Sequence, residues 1–122
     1  MGARQGPYGG PCFDRPAAAA PIAWLSDLAP PLPEGTYPIL ELPHDVFHRA
    51  VLAVPLEYDA FVDFASKQWP PAGWLLSQGG EAEPGEAEDN FIRGETFGAF
   101  RARRVYCEDG WSEIVLTIGT SP

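Results

Sequence analysis

Basic side chains are scarce in this chain. Of its 122 residues only 8 are Lys or Arg, against 17 Asp or Glu, which leaves a formal net charge of −9. A surface of that sign repels phosphate backbones and anionic membranes. It argues against a nucleic-acid partner and suits a basic protein surface. Long apolar runs are missing as well. None approaches the roughly 20 residues that a membrane helix needs, so no membrane span is expected. The opening "MGARQGPYGGPCFDRPAAAAPIAW" is broken by Gly and Pro where a secretory signal would carry its apolar stretch. The expectation is a cytoplasmic protein.

Histidine and cysteine occur twice each. Cys12 and Cys107 have no close His and make no zinc site. In a reducing cytosol two free thiols are expected, although a bridge would pin the N-terminal segment to the folded body. "HDVFH" sets His44 and His48 four apart, the spacing of a zincin helix, but Asp45 stands where that motif has Glu, and the chain holds no third His. On a strand the two imidazoles would sit about 13 Å apart, too far for one metal. No metal or cofactor is expected. A Gly-x-Ser-x-Gly motif is absent, and no serine stands near a histidine in sequence. No catalytic residue is assigned, and the expectation is a protein that is not an enzyme.

Seven Phe, four Trp and four Tyr remain to build a core. Residues 1–35 hold seven of the 14 prolines and read as a Pro/Gly/Ala-rich arm, largely irregular. One apolar island, "IAWLSDL", interrupts it and reads as a short docked helix or a partner-wrapping segment. Residues 36–122 read as a single α+β domain. "TYPILEL" is an edge strand or extended arm because of Pro38 and Pro43. "DVFHRAVLAV" fits a strand or a helix by periodicity; its Val-rich end and Pro55 favour a strand over about 48–54. "PLEYDAFVDFASKQW" is the clearest helix, with Tyr58, Phe61, Val62, Ala65 and Trp69 on one stripe. Pro70 and Pro71 stop it. "WLLSQ", "TFGAFRARRVYC" and "WSEIVLTIG" read as strands, with "EDG" as a hairpin turn. The order strand-helix-strand-strand-strand implies a two-layer α+β sandwich with an antiparallel meander.

The segment "VPLEYDAFVDFASKQWPPAGW" resembles a unit of small bacterial domains, often borne on lipoproteins. In it a Val-Pro strand end, an amphipathic helix and a Pro-x-x-Gly-Trp turn follow one another. The matching positions are Val54, Pro55, Phe61, Phe64, Trp69, Pro70, Gly73 and Trp74. The similarity covers about 50–74 and implies a fold but no activity.

Two features point toward binding. The stretch "GGEAEPGEAEDNF" holds Glu81, Glu83, Glu86, Glu88 and Asp89 and no basic residue. It reads first as a solvated hairpin loop and second as a contact surface for basic residues. A calcium loop fails, because the sixth and twelfth positions from Glu81 are Glu86 and Ile92 rather than Gly and Glu. Arg101 and Arg103 share one strand face, with Arg104 on the other. Their plain reading is an exposed face covered by long stems; their functional reading is an anion-binding patch. The expected function is a non-enzymatic protein-binding module, with an inhibitor or immunity-type protein as one form of it. The alternative is a small-ligand-binding domain that uses the Arg-bearing sheet face.

Overall fold

The computed structural model describes residues 4–5, 11–77 and 82–121. Two short strands, β1 (Arg4–Gln5) and β2 (Pro11–Cys12), pair antiparallel. A six-residue helix follows, α1 (Ala23–Leu28). Then come β3 (Tyr37–Leu42), β4 (His48–Val54) and the helix α2 (Tyr58–Gln68). After a 3-10 turn at Pro70–Ala72 come β5 (Leu75–Leu76), β6 (Ala82–Glu83), β7 (Glu86–Arg93), β8 (Thr96–Arg103) and β9 (Ser112–Thr120). The result is a small α+β domain, mostly sheet. The main sheet is antiparallel, ordered β3-β4-β9-β8-β7-β5, with β6 also paired to β7.

Alternation decides what each strand buries. In β4, Ala50, Leu52 and Val54 are buried; in β9, Ile114, Leu116 and Ile118; in β8, Phe100 and Ala102; in β7, Ala87 and Phe91. Against this face lies the apolar stripe of α2. Phe61 meets Phe100 edge-on at 5.1 Å. Trp69, just past the helix, meets Phe91 at 5.3 Å and Phe100 at 5.6 Å. The Pro-Pro step then tightens the chain into the 3-10 turn, and Gly73 supplies the positive φ of 93° that ends it. Gly98 serves a different need. It pairs with Phe91 across the strands, and a Cβ there would lie 2.6 Å from the Phe91 ring.

Residues 11–35 are not a detached arm. Ile22, Trp24, Leu25, Leu28, Ala29 and Leu32 pack against the core, and the Trp69 indole donates to the Pro31 carbonyl at 2.6 Å. Three readings of the sequence need correction. The acidic stretch is strand rather than loop over 82–83 and 86–93, because Ala87 and Phe91 alternate with its charges and bury one face. The meander is therefore β7-β8-β9, and "WLLSQ" contributes only Leu75–Leu76 at the far edge of β7. The strand "TFGAFRARRVYC" stops at Arg103, and "EDG" lies within the broader connection 104–111. The side-chain bonds of Arg104 to Glu57 and Asp109 hold that connection in place.

Trp69 is fully buried. Replacement by Ala should cost about 3–5 kcal/mol, the range for emptying an aromatic site in a core. Urea unfolding followed by circular dichroism measures it, and a cost below about 1 kcal/mol would show that this cluster does not carry the fold.

Candidate functional site

The residues of opposite parity form the second face of the sheet. Strand register arranges them in rows. Glu86, Arg103, Glu113 and Ala53 make one row; Glu88, Arg101, Val115, Val51 and Leu40 the next. Asn90, Ala99, Thr117, Arg49 and Leu42 make a third. In a fourth, Ile92, Phe97 and Gly119 lie side by side, and Leu75 flanks Ile92. Gly119 is required here by close approach, since a Cβ would meet the Phe47 ring, which also contacts Phe97 edge-on at 5.9 Å.

Across the middle of this face lies a shallow cavity of about 370 Å³, bordered by Arg49, Arg101, Arg103, Ala99, Val115 and Thr117. Glu88 and Asp89 also border it, and two of its three arginines are ion-paired. Arg103 bonds Glu113 within its row, and Arg101 reaches diagonally to Glu86 rather than to Glu88 opposite. The Glu86 hydrogen bond raises the Arg101 pKa further. Arg49 differs. Its Nε donates to the Thr117 hydroxyl at 3.2 Å, and among the described residues it has no carboxylate partner.

The N-terminal segment closes one end of the face. Phe13 forms a parallel bridge with Tyr106, with Phe13 N–H donating to the Val105 carbonyl and Cys107 N–H to the Phe13 carbonyl, both at 2.9 Å. This brings the Cα atoms of Cys12 and Cys107 to 5.0 Å, and the two form a disulfide. The expected free thiols are thus corrected: backbone pairing of the arm supplies a proximity that 95 residues of sequence separation concealed. Arg15 continues the anchorage. Its guanidinium stacks 3.7 Å from the Trp111 ring centroid and donates to Glu108 at 2.8 Å and to the Tyr37 hydroxyl at 2.7 Å. The Tyr37 hydroxyl in turn donates to the Pro16 carbonyl.

Of the residues picked from sequence, Glu86, Glu88, Arg101 and Arg103 come together on this face. Asp89 has the other parity and accepts from Ser77 Oγ at 2.7 Å. Glu83 borders a small hollow with Glu86, Glu88 and Arg101. Glu81 lies outside the described residues. The histidines serve separately: His44 Nδ1 accepts from the Val46 and Phe47 amides, and the His48 ring lies 5.1 Å from Trp24. Among the described residues no group of three His, Cys, Asp or Glu is placed to hold a metal, and no helix is long and apolar enough to cross a membrane. Sequence reading missed Arg49, Val115 and Thr117. The signal for Arg49 was its parity in "HRAVLAV", opposite to that of Ala50 and Leu52. Comparison with protein-family models, curated proteins and solved structures finds no match to this chain.

The Arg15 hydrogen bond holds the Glu108 carboxyl below its ordinary value of 4.5. A depressed carboxylate contributes stability that is present above the unfolded value and is lost as pH falls through the folded one. Arm docking should therefore weaken only in acid below pH 4.5. A carbon-detected NMR titration should show Glu108 titrating low in the native chain and returning to the ordinary range in Arg15→Ala. An unchanged Glu108 value in that variant would remove the ion pair from the anchorage. The disulfide closes a long loop, so the Cys12→Ser, Cys107→Ser double variant should lose about 2–4 kcal/mol in chemical denaturation. A loss near zero would mean that the non-covalent contacts alone set the position of the arm.

Proposed function

We propose that the chain is a non-enzymatic binding module that takes a protein partner on the sheet face opposite α2. In this reading the helices form one layer and the sheet the other, so the second sheet face is left to do the binding. The observation that carries it is the unequal pairing of three arginines over a floor of small apolar side chains. Arg101 and Arg103 already have carboxylates, whereas among the described residues Arg49 has a hydroxyl partner and no carboxylate. A partner carboxylate set beside Arg49 would gain a charge-assisted bond without displacing an existing pair. Partner apolar groups would cover Leu40, Val51 and Val115, and the exposed Ile92 and Leu75 extend that surface at the far end. The acidic surface as a whole speeds encounter with a partner whose net charge is basic, while the local pattern sets register. The likeness of residues 50–74 to the bacterial strand-helix-strand unit fits a module of this size.

The disulfide bears on where the module works. Such bonds persist in oxidising surroundings, which favours an oxidising compartment over the expected cytoplasm. The alternative, a small-ligand-binding domain that uses the Arg-bearing sheet face, is supported by the shallow cavity beside Arg49, Arg101 and Arg103.

Affinity capture with the full chain tests the docking face. Arg49→Glu and Val115→Asp each place a new charge on that face, and Lys67→Ala on the exposed side of α2 is the control. A specific partner should be lost at least tenfold by both face variants and kept by the control, a size expected when a charge pair or an apolar contact is broken at an interface. A partner that both face variants retain would place binding elsewhere.

A further inference from the structure

Arg15 sits in a cage built by distant parts of the chain. Its guanidinium lies 3.7 Å from the Trp111 ring centroid and 5.7 Å from that of Tyr37. The two rings stand 5.9 Å apart at 58° and form two walls of one corner. Glu108 adds a forked pair of bonds: Nε donates to Oε2 at 2.8 Å and Nη2 to Oε1 at 3.2 Å. Nη1 donates to the Tyr37 hydroxyl at 2.7 Å. A π face to stack on and a carboxylate set for two parallel bonds are the parts that tell a planar guanidinium from an ammonium. The cage residues belong to the folded body, since Tyr37 opens β3 and Glu108 and Trp111 lie in the connection before β9.

The occupant is less firmly built in than the cage. The ion pair is at the surface, with the Arg15 side chain 26% and that of Glu108 49% exposed, and such pairs contribute little by themselves. Residues 16–21 are exposed and carry no helix or strand. Arg15 is kept in place by tethers on both sides. The Cys12–Cys107 bridge and the Phe13 backbone bonds hold one, and the Ala19 N–H bond to the Pro38 carbonyl at 2.8 Å holds the other. A doubly tethered side chain has an effective concentration that a free arginine does not match; loss of one tether lowers it. The cage and the bridge also share an opening. Arg15, Tyr37, Glu108 and Cys107 border a hollow of about 750 Å³. Cys107 is half-buried while Cys12 is 4% exposed, so the bridge is approached from the Cys107 side.

We propose that Tyr37, Trp111 and Glu108 form a recognition site for an arginine side chain of a basic protein, that Arg15 is its internal stand-in, and that reduction of Cys12–Cys107 by a dithiol lets the outside arginine replace it. One thiolate of the reductant attacks Cys107 Sγ, the bond between the two sulfurs breaks, and Cys12 leaves as a thiolate that takes up a proton. The second thiol of the reductant then displaces Cys107, which also leaves as a thiol, and the two electrons come from the dithiol as it closes to its own disulfide. The net charge of −9 draws basic segments toward the site. The docking face is separate, because Arg49 and Val115 take no part in the cage.

The test uses the full chain and two probes, N-acetyl-arginine methylamide and N-acetyl-lysine methylamide, with NMR shifts read at the Trp111 indole and the Tyr37 ring. In the oxidised Arg15→Ala chain the arginine probe should bind saturably and about fivefold more tightly than the lysine probe, the size of one net hydrogen bond. Adding Glu108→Gln should weaken it about tenfold, the size of a charge-assisted bond. The oxidised native chain should bind the arginine probe about tenfold more weakly than Arg15→Ala does, and dithiothreitol should recover about threefold of that loss. Adding Arg49→Glu should change none of these values; a change would place the probe on the sheet face and overturn the proposal. An Arg15→Ala chain that takes up neither probe, takes both equally or fails to fold would make Arg15 a structural brace and no stand-in. Binding that survives Glu108→Gln unchanged would likewise remove the cage. A reduced native chain that binds no better than the oxidised one, or that loses its fold, would show that the bridge is not the latch.

Discussion

Burial of the Trp69 indole is the constraint on which the rest of the structure rests. The ring is fully inaccessible and packs edge-on against Phe61, Phe91 and Phe100, so it joins the helix to two neighbouring strands. A buried indole N–H needs an acceptor. It finds one in the Pro31 carbonyl, in a segment with no regular structure of its own. Three units thus index on one side chain: α2, the sheet and the N-terminal segment. The main chain at Trp69 adds to this. Its N–H closes the helix on Ala65, and its carbonyl accepts from Ala72 and Trp74, which carries the chain through the Pro-Pro step toward β5.

Filling one sheet face with aromatics leaves the other with shorter and charged residues, and there the scarcity of cations becomes visible. Arg15, Arg101, Arg103 and Arg104 each pair with an internal carboxylate. Arg93 lies 4.5 Å from the Trp74 ring centroid. For Arg104, burial lowers the pKa, but hydrogen bonds to Asp109 and Glu57 outweigh it and the net shift is upward. The charge is thereby held inside the connection that precedes β9. A chain with 17 acidic residues and 8 basic ones places most of its described arginines where they brace structure. Against that pattern, Arg49 donates to the Thr117 hydroxyl and, like Arg93, has no carboxylate partner among the described residues.

The acidic stretch shows how a composition signal can mislead. Five carboxylates among Gly and Pro have the look of a solvated loop, yet the chain forms an eight-residue strand over Glu86–Arg93. Charge density depends on neither backbone conformation nor face. Alternation depends on both, and the alternation of Ala87 and Phe91 with Glu86, Glu88 and Asn90 is the informative pattern. A similar lesson holds for Tyr106. Its spacing from Phe100 and Ala102 suggests the core face of the strand, but β8 ends at Arg103, and Tyr106 is buried instead beside the arm, paired with Phe13.

Local sequence determined the elements whose cause is local. The stripe from Tyr58 to Trp69 and the stop at Pro70–Pro71 specify α2, and the clean alternation of Ile114, Leu116 and Ile118 specifies β9. The strand at His48–Val54 follows from its Val-rich end and Pro55, although periodicity alone left it open. Tertiary structure decided everything that depends on which distant segments become neighbours. It joined Cys12 to Cys107, laid Arg15 on Trp111, chose Glu86 rather than Glu88 for Arg101, and placed Arg49 beside Thr117. The physical reason is range. Helix and strand propensities act over a few residues and can be read along the chain, whereas the sites are built from strand register and arm docking, which are set only when the whole sheet closes over its aromatic core.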